Sequence, residues 1–67
     1  MAGLETNRRA VAARLGREGW VARHGGEHDV YKYPARPGRI IVPRHRTLSP
    51  GVARAIAKAA GWTDAED

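Results

Sequence analysis

Two adjacent glycines, Gly25 and Gly26, separate two short runs of β-prone residues in this chain. Because glycine has no Cβ atom, the pair allows backbone conformations that other residues rarely adopt. Residues 28–33 follow directly and contain the β-branched and aromatic side chains that are typical of a strand. Parallel strands need a connection of roughly a dozen residues or more. A turn this short therefore predicts that the two runs pair antiparallel.

A three-stranded antiparallel meander is the simplest arrangement of the central part of the chain. We predict strands over residues 20–23, 28–33 and 39–42. Residues 34–38 contain two prolines, which cannot donate a hydrogen bond inside a central strand, and this segment is therefore the second turn. Pro43 is expected to end the third strand.

A helix is predicted before the sheet. Leu4, Val11 and Leu15 lie on one stripe at helical spacing. Thr6 is the predicted N-cap, because its hydroxyl can accept a hydrogen bond from an amide of the first turn. Gly19 is predicted to end this helix as its C-terminal glycine.

A second helix is predicted after the sheet, with clear signals at both ends. Ser49 is the expected N-cap, Pro50 occupies the first helical position, and Gly61 lies just past the end. Ile56 belongs to its apolar face, and Trp62 can fold back on that face. The fold class is therefore α+β with the order αβββα, and we expect both helices on one face of the three-stranded antiparallel sheet.

The length of 67 residues predicts one domain over residues 1–67, with a core of about residues 6–62 and a mobile acidic tail at residues 63–67. The chain contains no cysteine, which excludes disulfides and thiolate metal sites. No apolar run approaches the roughly 20 residues that span a bilayer, and no signal peptide is visible. We expect a cytoplasmic protein with no membrane partner and no cofactor.

The positive charge of the chain is concentrated before its last few residues. The formal net charge is +5, and Asp64, Glu66 and Asp67 are all in the acidic tail. Leaving those three carboxylates out raises the charge of residues 1–63 to +8. Most of the basic residues are arginines, whose planar fork suits phosphate. This pattern fits a nucleic-acid partner, although a well-solvated basic surface would carry the same charge.

His28 is the candidate catalytic residue, because it stands where the glycine turn meets a rigid strand. Histidine is the side chain best suited to exchange protons near neutral pH. Strand alternation places His28 and Lys32 on one face and Asp29 and Tyr31 on the other. We therefore expect Asp29 to point away from the site and Tyr31 to pack towards the helices.

Basic residues near His28 in the predicted sheet could bind phosphate. Cationic side chains can contact the phosphates of a nucleic-acid partner and stabilise negative charge on them. The candidates for these contacts are Arg23, Lys32, Arg44, His45 and Arg46. In the plainer interpretation these residues are only polar surface.

Two further patterns allow a functional interpretation, and in both a structural role is the stronger expectation. Tyr31 and Tyr33 could stack on bases, but we expect them in the core or at the sheet edge. His24 and His28 have the spacing of a metal-binding pair on a helix. The glycines between them argue against a helix, so we predict no metal site.

Five short motifs follow one another along the chain. They are Gly19-Trp20, Gly25-Gly26-Glu27-His28, Val42-Pro43-Arg44-His45, Leu48-Ser49-Pro50-Gly51 and Ala59-Ala60-Gly61-Trp62. Each is weak by itself, but the ordered set covers about residues 6–62. In this set the chain resembles the HicA family, the toxins of the HicA–HicB toxin–antitoxin systems.

The resemblance implies a fold similar to a double-stranded-RNA-binding domain and a metal-independent mRNA-cleaving endoribonuclease, or mRNA interferase. It also implies neutralisation by a HicB-like antitoxin. The catalytic histidine of the family follows a glycine-serine or glycine-glycine step, which corresponds to His28. Here Gly26 stands in place of the commoner serine, and the carboxylates of Glu27 and Asp29 flank the histidine.

Two other classes of function stay open at this point. The chain could be a non-catalytic RNA-binding module of the same fold. Alternatively, the helix over residues 49–60 could read DNA in the manner of a helix-turn-helix protein. Its exposed face offers Arg54 and Lys58 but no asparagine or glutamine for base edges, and DNA reading therefore ranks last.

Overall fold

The computed structural model describes residues 4–62 and has the predicted element order. Its elements are α1 (Arg8–Arg17), β1 (Val21–His24), β2 (His28–Lys32), β3 (Ile40–Pro43) and α2 (Pro50–Ala60). The α+β prediction is confirmed, and the architecture is consistent with a double-stranded-RNA-binding-domain-like fold. The mobile acidic tail predicted at residues 63–67 lies outside the described residues.

The three strands form one antiparallel sheet in the order β1-β2-β3. Arg23 of β1 and Ile41 of β3 both pair with Val30 of β2 in the register. Strands β1 and β3 each begin and end one residue later than predicted, so Trp20 precedes β1 and Pro43 closes β3. Trp20 is instead a buried core residue.

The N-cap of α1 is Asn7, and the prediction of Thr6 was wrong. The Asn7 side chain accepts a hydrogen bond from the Ala10 amide at 3.0 Å. The Thr6 carbonyl accepts a hydrogen bond from the Leu48 amide at 2.7 Å, and an isolated antiparallel bridge joins Asn7 to Thr47. This long-range pairing between the segments that precede the two helices sets the start of α1 one residue later.

The predicted ends of α2 are confirmed. Ser49 Oγ accepts a hydrogen bond from the Val52 amide at 3.3 Å, and Pro50 is the first helical residue. Gly61 ends the helix with a φ of 79°, the left-handed conformation for which glycine is preferred at this position. In α1, Gly19 follows the C-cap Glu18 and has a φ of 98°, as the sequence predicted.

The hydrophobic core lies between the two helices and one face of the sheet, which we call the covered face. Tyr31, Ile40 and Val42 are buried on this face. Trp62 folds back on the core as predicted, and its indole Nε1 donates a hydrogen bond to Glu18 Oε1 at 2.6 Å. The buried residues of the two helices complete this part of the core: Val11, Leu15, Ala53, Ile56, Ala57 and Ala60.

The opposite side of the sheet, the open face, is not covered by a helix. Val21 is 60% exposed and Ile41 is 46% exposed, which is unusual for large apolar side chains. The open face consists of Val21, Arg23, His28, Val30, Lys32 and Ile41. Within the described residues, neither helix has the length and apolar character needed to cross a membrane.

Candidate active site

His28 is the first residue of β2, and its side chain is exposed on the open face. The turn before it is closed by a hydrogen bond from the Gly25 amide to the His28 carbonyl at 3.0 Å. A Cβ atom at Gly25 would lie 2.8 Å from that carbonyl oxygen, a distance that real Cβ atoms essentially never show. A Cβ atom at Gly26 would meet no heavy atom within 4 Å. Only Gly25 is therefore sterically required for this turn.

A shallow cavity of about 620 Å³ lies on the open face and includes His28 in its lining. Two predicted phosphate-binding residues, Arg23 and Lys32, line the same cavity. Arg39 also lines it, although we did not predict it as a site residue. The available signal was strand alternation, because Arg39 stands two residues before Ile41 of the same face. The cavity thus combines three cationic side chains with one imidazole.

His28 also lines a second cavity, of about 410 Å³, at the end of the sheet near the glycine turn. Arg44 and His45, both predicted as RNA-binding residues, line this cavity together with Glu27. The Arg44 amide donates a hydrogen bond to the Glu27 carbonyl at 3.1 Å, which holds the end of β3 against the turn. His28 is therefore placed between two groups of basic side chains.

Asp29 lies on the covered face, as strand alternation predicted, and its side chain is only 5% exposed. Its Oδ1 atom accepts a hydrogen bond from Nε of Arg44 at 3.1 Å and forms an ion pair with Nη2 of the same guanidinium at 3.0 Å. The same oxygen is 3.1 Å from Nδ1 of His24, with which it forms a hydrogen bond. The carboxylate thus links the ends of all three strands beside His28.

The pKa of the Asp29 carboxyl lies below its ordinary value of 3.8. Burial of the carboxyl acts to raise the pKa, but the hydrogen bonds from His24 and Arg44 and the charge of Arg44 lower it by more. Asp29 is therefore an ionised partner of Arg44. Its negative charge is directed to the arginine and not to the open face.

Arg46 lines neither of the two cavities that contain His28. It lines a third cavity, at the N-terminal end of α1, with Asn7, Arg8 and Arg9. Arg44 lines this third cavity as well as the one that contains His28. Four of the five predicted phosphate-binding residues thus line one or the other of the two cavities that contain His28.

The tyrosines have the structural roles that we considered the stronger expectation. Tyr31 is buried in the core, and burial raises its pKa, as does the charge of Asp29, against a smaller lowering effect of Arg8. Tyr33 is half-buried and packs on Trp20, with 5.4 Å between the ring centroids. The ring of Tyr31 therefore does not contribute to the open face.

Over residues 4–62, no group of three or more histidine, cysteine, aspartate or glutamate side chains could hold a metal ion. His24 and His28 lie on opposite faces of the sheet, because His24 pairs with Asp29 in the register. The side chain of His24 is hydrogen-bonded to Asp29. The two histidines are in strands and not in a helix, and their spacing in the sequence therefore does not bring their side chains together.

A comparison with models of known protein families agrees with the resemblance seen in the five motifs. No curated protein sequence matches the chain significantly. The family model described as the HicA toxin of bacterial toxin–antitoxin systems matches residues 8–62, which is most of the chain and includes both helices and all three strands. The chain belongs to the HicA toxin family of bacterial toxin–antitoxin systems.

Proposed function

We propose that this toxin is a cytoplasmic, metal-independent endoribonuclease that cleaves mRNA with His28 as its single catalytic histidine. The observation that carries the proposal is the position of His28, which lines two cavities at once. One of these cavities is also lined by Arg23, Lys32 and Arg39, and the other is also lined by Arg44 and His45. An imidazole next to cationic side chains can act as a general base while the positive charge stabilises the reacting phosphate.

The reaction at such a site is an intramolecular transfer within the RNA strand. His28 takes the proton of a ribose 2′-hydroxyl, and the 2′-oxygen forms a bond to the adjacent phosphorus. The bond from phosphorus to the 5′-oxygen of the next nucleotide breaks, and that oxygen takes up the proton that His28 has received. The products are a 2′,3′-cyclic phosphate and a free 5′-hydroxyl. The chain supplies both the proton transfer and the positive charge.

Arg44 can contact the phosphate without leaving Asp29. A guanidinium carries five N–H donors, and the contacts with Asp29 occupy at most two of them, the hydrogen-bonded one on Nε and one on the ion-paired Nη2. Three donors therefore stay available, and 43% of the side chain is exposed to solvent. The carboxylate orients the arginine in advance, which lowers the entropic cost of aligning it with the reacting phosphate.

We further propose that a HicB-like antitoxin neutralises the toxin by covering the open face. This face presents exposed Val21 and Ile41 next to Arg23 and Lys32. Protein interfaces combine an apolar centre with a polar rim, and an acidic partner would also associate faster by electrostatic steering. A partner seated there would block access of RNA to His28. It would also stabilise the toxin by mass action.

Cleavage of a labelled mRNA by the purified toxin in excess chelator tests the enzymatic proposal. We expect products that end in 2′,3′-cyclic phosphate and the same rate when magnesium is added. RNA binding without cleavage would instead identify a non-catalytic RNA-binding module. Cleavage that disappears in chelator and returns with magnesium would contradict the metal-independent reaction.

Amide hydrogen exchange on the toxin–antitoxin complex tests the occlusion proposal. We expect new protection centred on residues 23–33 and 39–46, which contain most of the open face and its rim. The antitoxin should also stop cleavage. Protection confined to α1, with cleavage unchanged by the partner, would contradict occlusion.

A further inference from the structure

Four arginines meet in a cavity of about 410 Å³ at the N-terminal end of α1, and we call them the arginine cluster: Arg8, Arg9, Arg44 and Arg46. Asn7 completes the lining, which contains no acidic residue. The cluster is assembled by backbone contacts between distant segments. The Arg8 amide donates a hydrogen bond to the Arg46 carbonyl at 3.0 Å, and Asn7 forms a β-bridge with Thr47.

The charge of the arginine cluster is largely unneutralised. Among its four members, only Arg44 has an ion pair within residues 4–62, and its partner is Asp29. The Nε atom of Arg8 is buried and has no hydrogen-bond partner in the described part of the chain. A buried donor without an acceptor costs free energy, and like charges held close together repel. An anion in the cavity would relieve the repulsion between the arginines.

We propose that the arginine cluster binds a second phosphate of the same RNA strand that is cleaved at His28. Arg44 connects the two sites, because it lines both the arginine cluster and the cavity that contains His28 and His45. A strand whose scissile phosphate lies at His28 can therefore continue past the end of β3 towards α1. The inference rests on the proposed function, since it assumes that the substrate is RNA.

The composition of the cavity favours a phosphate backbone over a protein partner. Its lining offers guanidinium groups and one amide but no large apolar side chain. Phosphate contacts need only charge and hydrogen-bond donors, whereas the centre of a stable protein interface needs apolar surface. The open face differs in this respect, because it combines its basic residues with exposed Val21 and Ile41.

The test compares two double variants that lower the net charge equally. Arg9→Gln/Arg46→Gln removes two exposed members of the cluster and spares the partly buried Arg8. Arg17→Gln/Lys58→Gln removes two exposed cations at the C-terminal ends of the helices, and serves as the control. The probe is a 2′-O-methyl oligouridine of about 12 nucleotides, which cannot be cleaved because its 2′-oxygen is blocked. Fluorescence anisotropy reports binding over a series of salt concentrations.

We expect the cluster variant to bind the probe roughly three- to tenfold more weakly than the control variant at about 0.1 M salt. The slope of log affinity against log salt should fall by about 0.7 in magnitude relative to wild type, since the cluster binds one phosphate and each phosphate contact to a single strand contributes about 0.7. Circular dichroism and thermal unfolding of both variants verify that they are folded.

Three results would overturn the proposal, and they are distinguishable. If the wild-type toxin neither binds nor cleaves RNA, the proposed function itself fails. If the wild type cleaves RNA and the two double variants bind the probe equally, the proposed function stands and the second phosphate site fails. If the cluster variant binds the probe like the control but loses affinity for the antitoxin, the cluster is a protein-docking site.

Discussion

Alternate residues of β2 lie in two very different surroundings. His28 and Lys32 are exposed on the open face, next to the apolar surface of Ile41. Asp29 and Tyr31, on the covered face, are 3% and 5% exposed. One strand of five residues thus supplies both the candidate chemistry and part of the core. In a domain this small, alternation allows one face to stabilise the fold while the other stays open to substrate or antitoxin.

The two faces are nevertheless connected through Asp29. Its carboxylate is buried on the covered face, but the arginine that it binds lines a cavity with His28. The buried carboxylate of Asp29 has one guanidinium partner, Arg44, and an additional contact with a histidine. These contacts hold the guanidinium in one orientation. The covered face therefore supplies orientation to the site as well as stability. Substitutions in β2 and in the turn before it test how far the two roles are separate.

The largest effect is expected from His28→Ala. Loss of a general base lowers rates by about 10²- to 10⁴-fold, so RNA cleavage and toxicity should disappear. Because the side chain is exposed, the free energy of unfolding should change by less than about 0.5 kcal/mol. Cleavage assays and chemical denaturation of the same preparation measure both. A folded alanine variant that cleaves at the wild-type rate would remove His28 from the reaction.

Tyr31→Ala should have the opposite profile. Truncation of a buried aromatic side chain costs about 3–5 kcal/mol, a large part of the stability of a small domain. We expect a marked drop in the denaturation midpoint, with the cleavage rate falling only in proportion to the folded fraction. The separation of the faces would be contradicted if the variant kept its stability but lost activity in the folded state.

Asp29→Asn should affect both faces to an intermediate degree. Arg44 loses its ionic partner, and we expect cleavage to fall by about tenfold, mostly through kcat, because the misoriented arginine stabilises the reacting phosphate less well. Arg44→Gln in the Asp29→Asn background should then lower the cleavage rate little further. If Asp29 acts through Arg44, the losses from the two substitutions are not additive. Independent, multiplicative losses would contradict this positioning role.

The same variant makes a prediction about acid stability. Because the folded-state pKa of Asp29 is below its ordinary value of 3.8, the ionised carboxylate stabilises the fold above that value. This contribution is lost as the pH falls through the lower, folded-state pKa. Wild-type stability should therefore decrease more steeply than that of Asp29→Asn as the pH is lowered from about 4. Parallel curves for the two proteins would contradict the assignment.

The smallest effect is expected at Gly26, and its neighbour is the matched control. Gly26→Ser adds a side chain where no heavy atom lies within 4 Å, and stability should change by less than about 0.5 kcal/mol. Gly25→Ala places a Cβ atom 2.8 Å from the His28 carbonyl, so the turn must shift at a cost of about 1–3 kcal/mol. Urea denaturation compares the two. Equal destabilisation would mean that the turn does not need the close approach at Gly25.

Local sequence signals determined the element order, the ends of α2 and the two faces of β2. Helix caps such as Ser49 and Gly61 depend on residues within four positions, and strand alternation follows from the geometry of the backbone itself. The placement of Asp29 and Tyr31 on the covered face and of His28 on the open face was predictable for this reason. The five motifs that identify the family were also readable along the chain.

Contacts between distant segments decided the rest. Asn7 replaces Thr6 as the N-cap because the start of α1 pairs with the segment before α2. The bond from Arg44 to Asp29 joins residues 15 positions apart. No local pattern reports such a pairing, since it depends on the register of the sheet. The same holds for the arginine cluster, whose members lie in two separate segments and become neighbours only when the segments that precede the two helices meet.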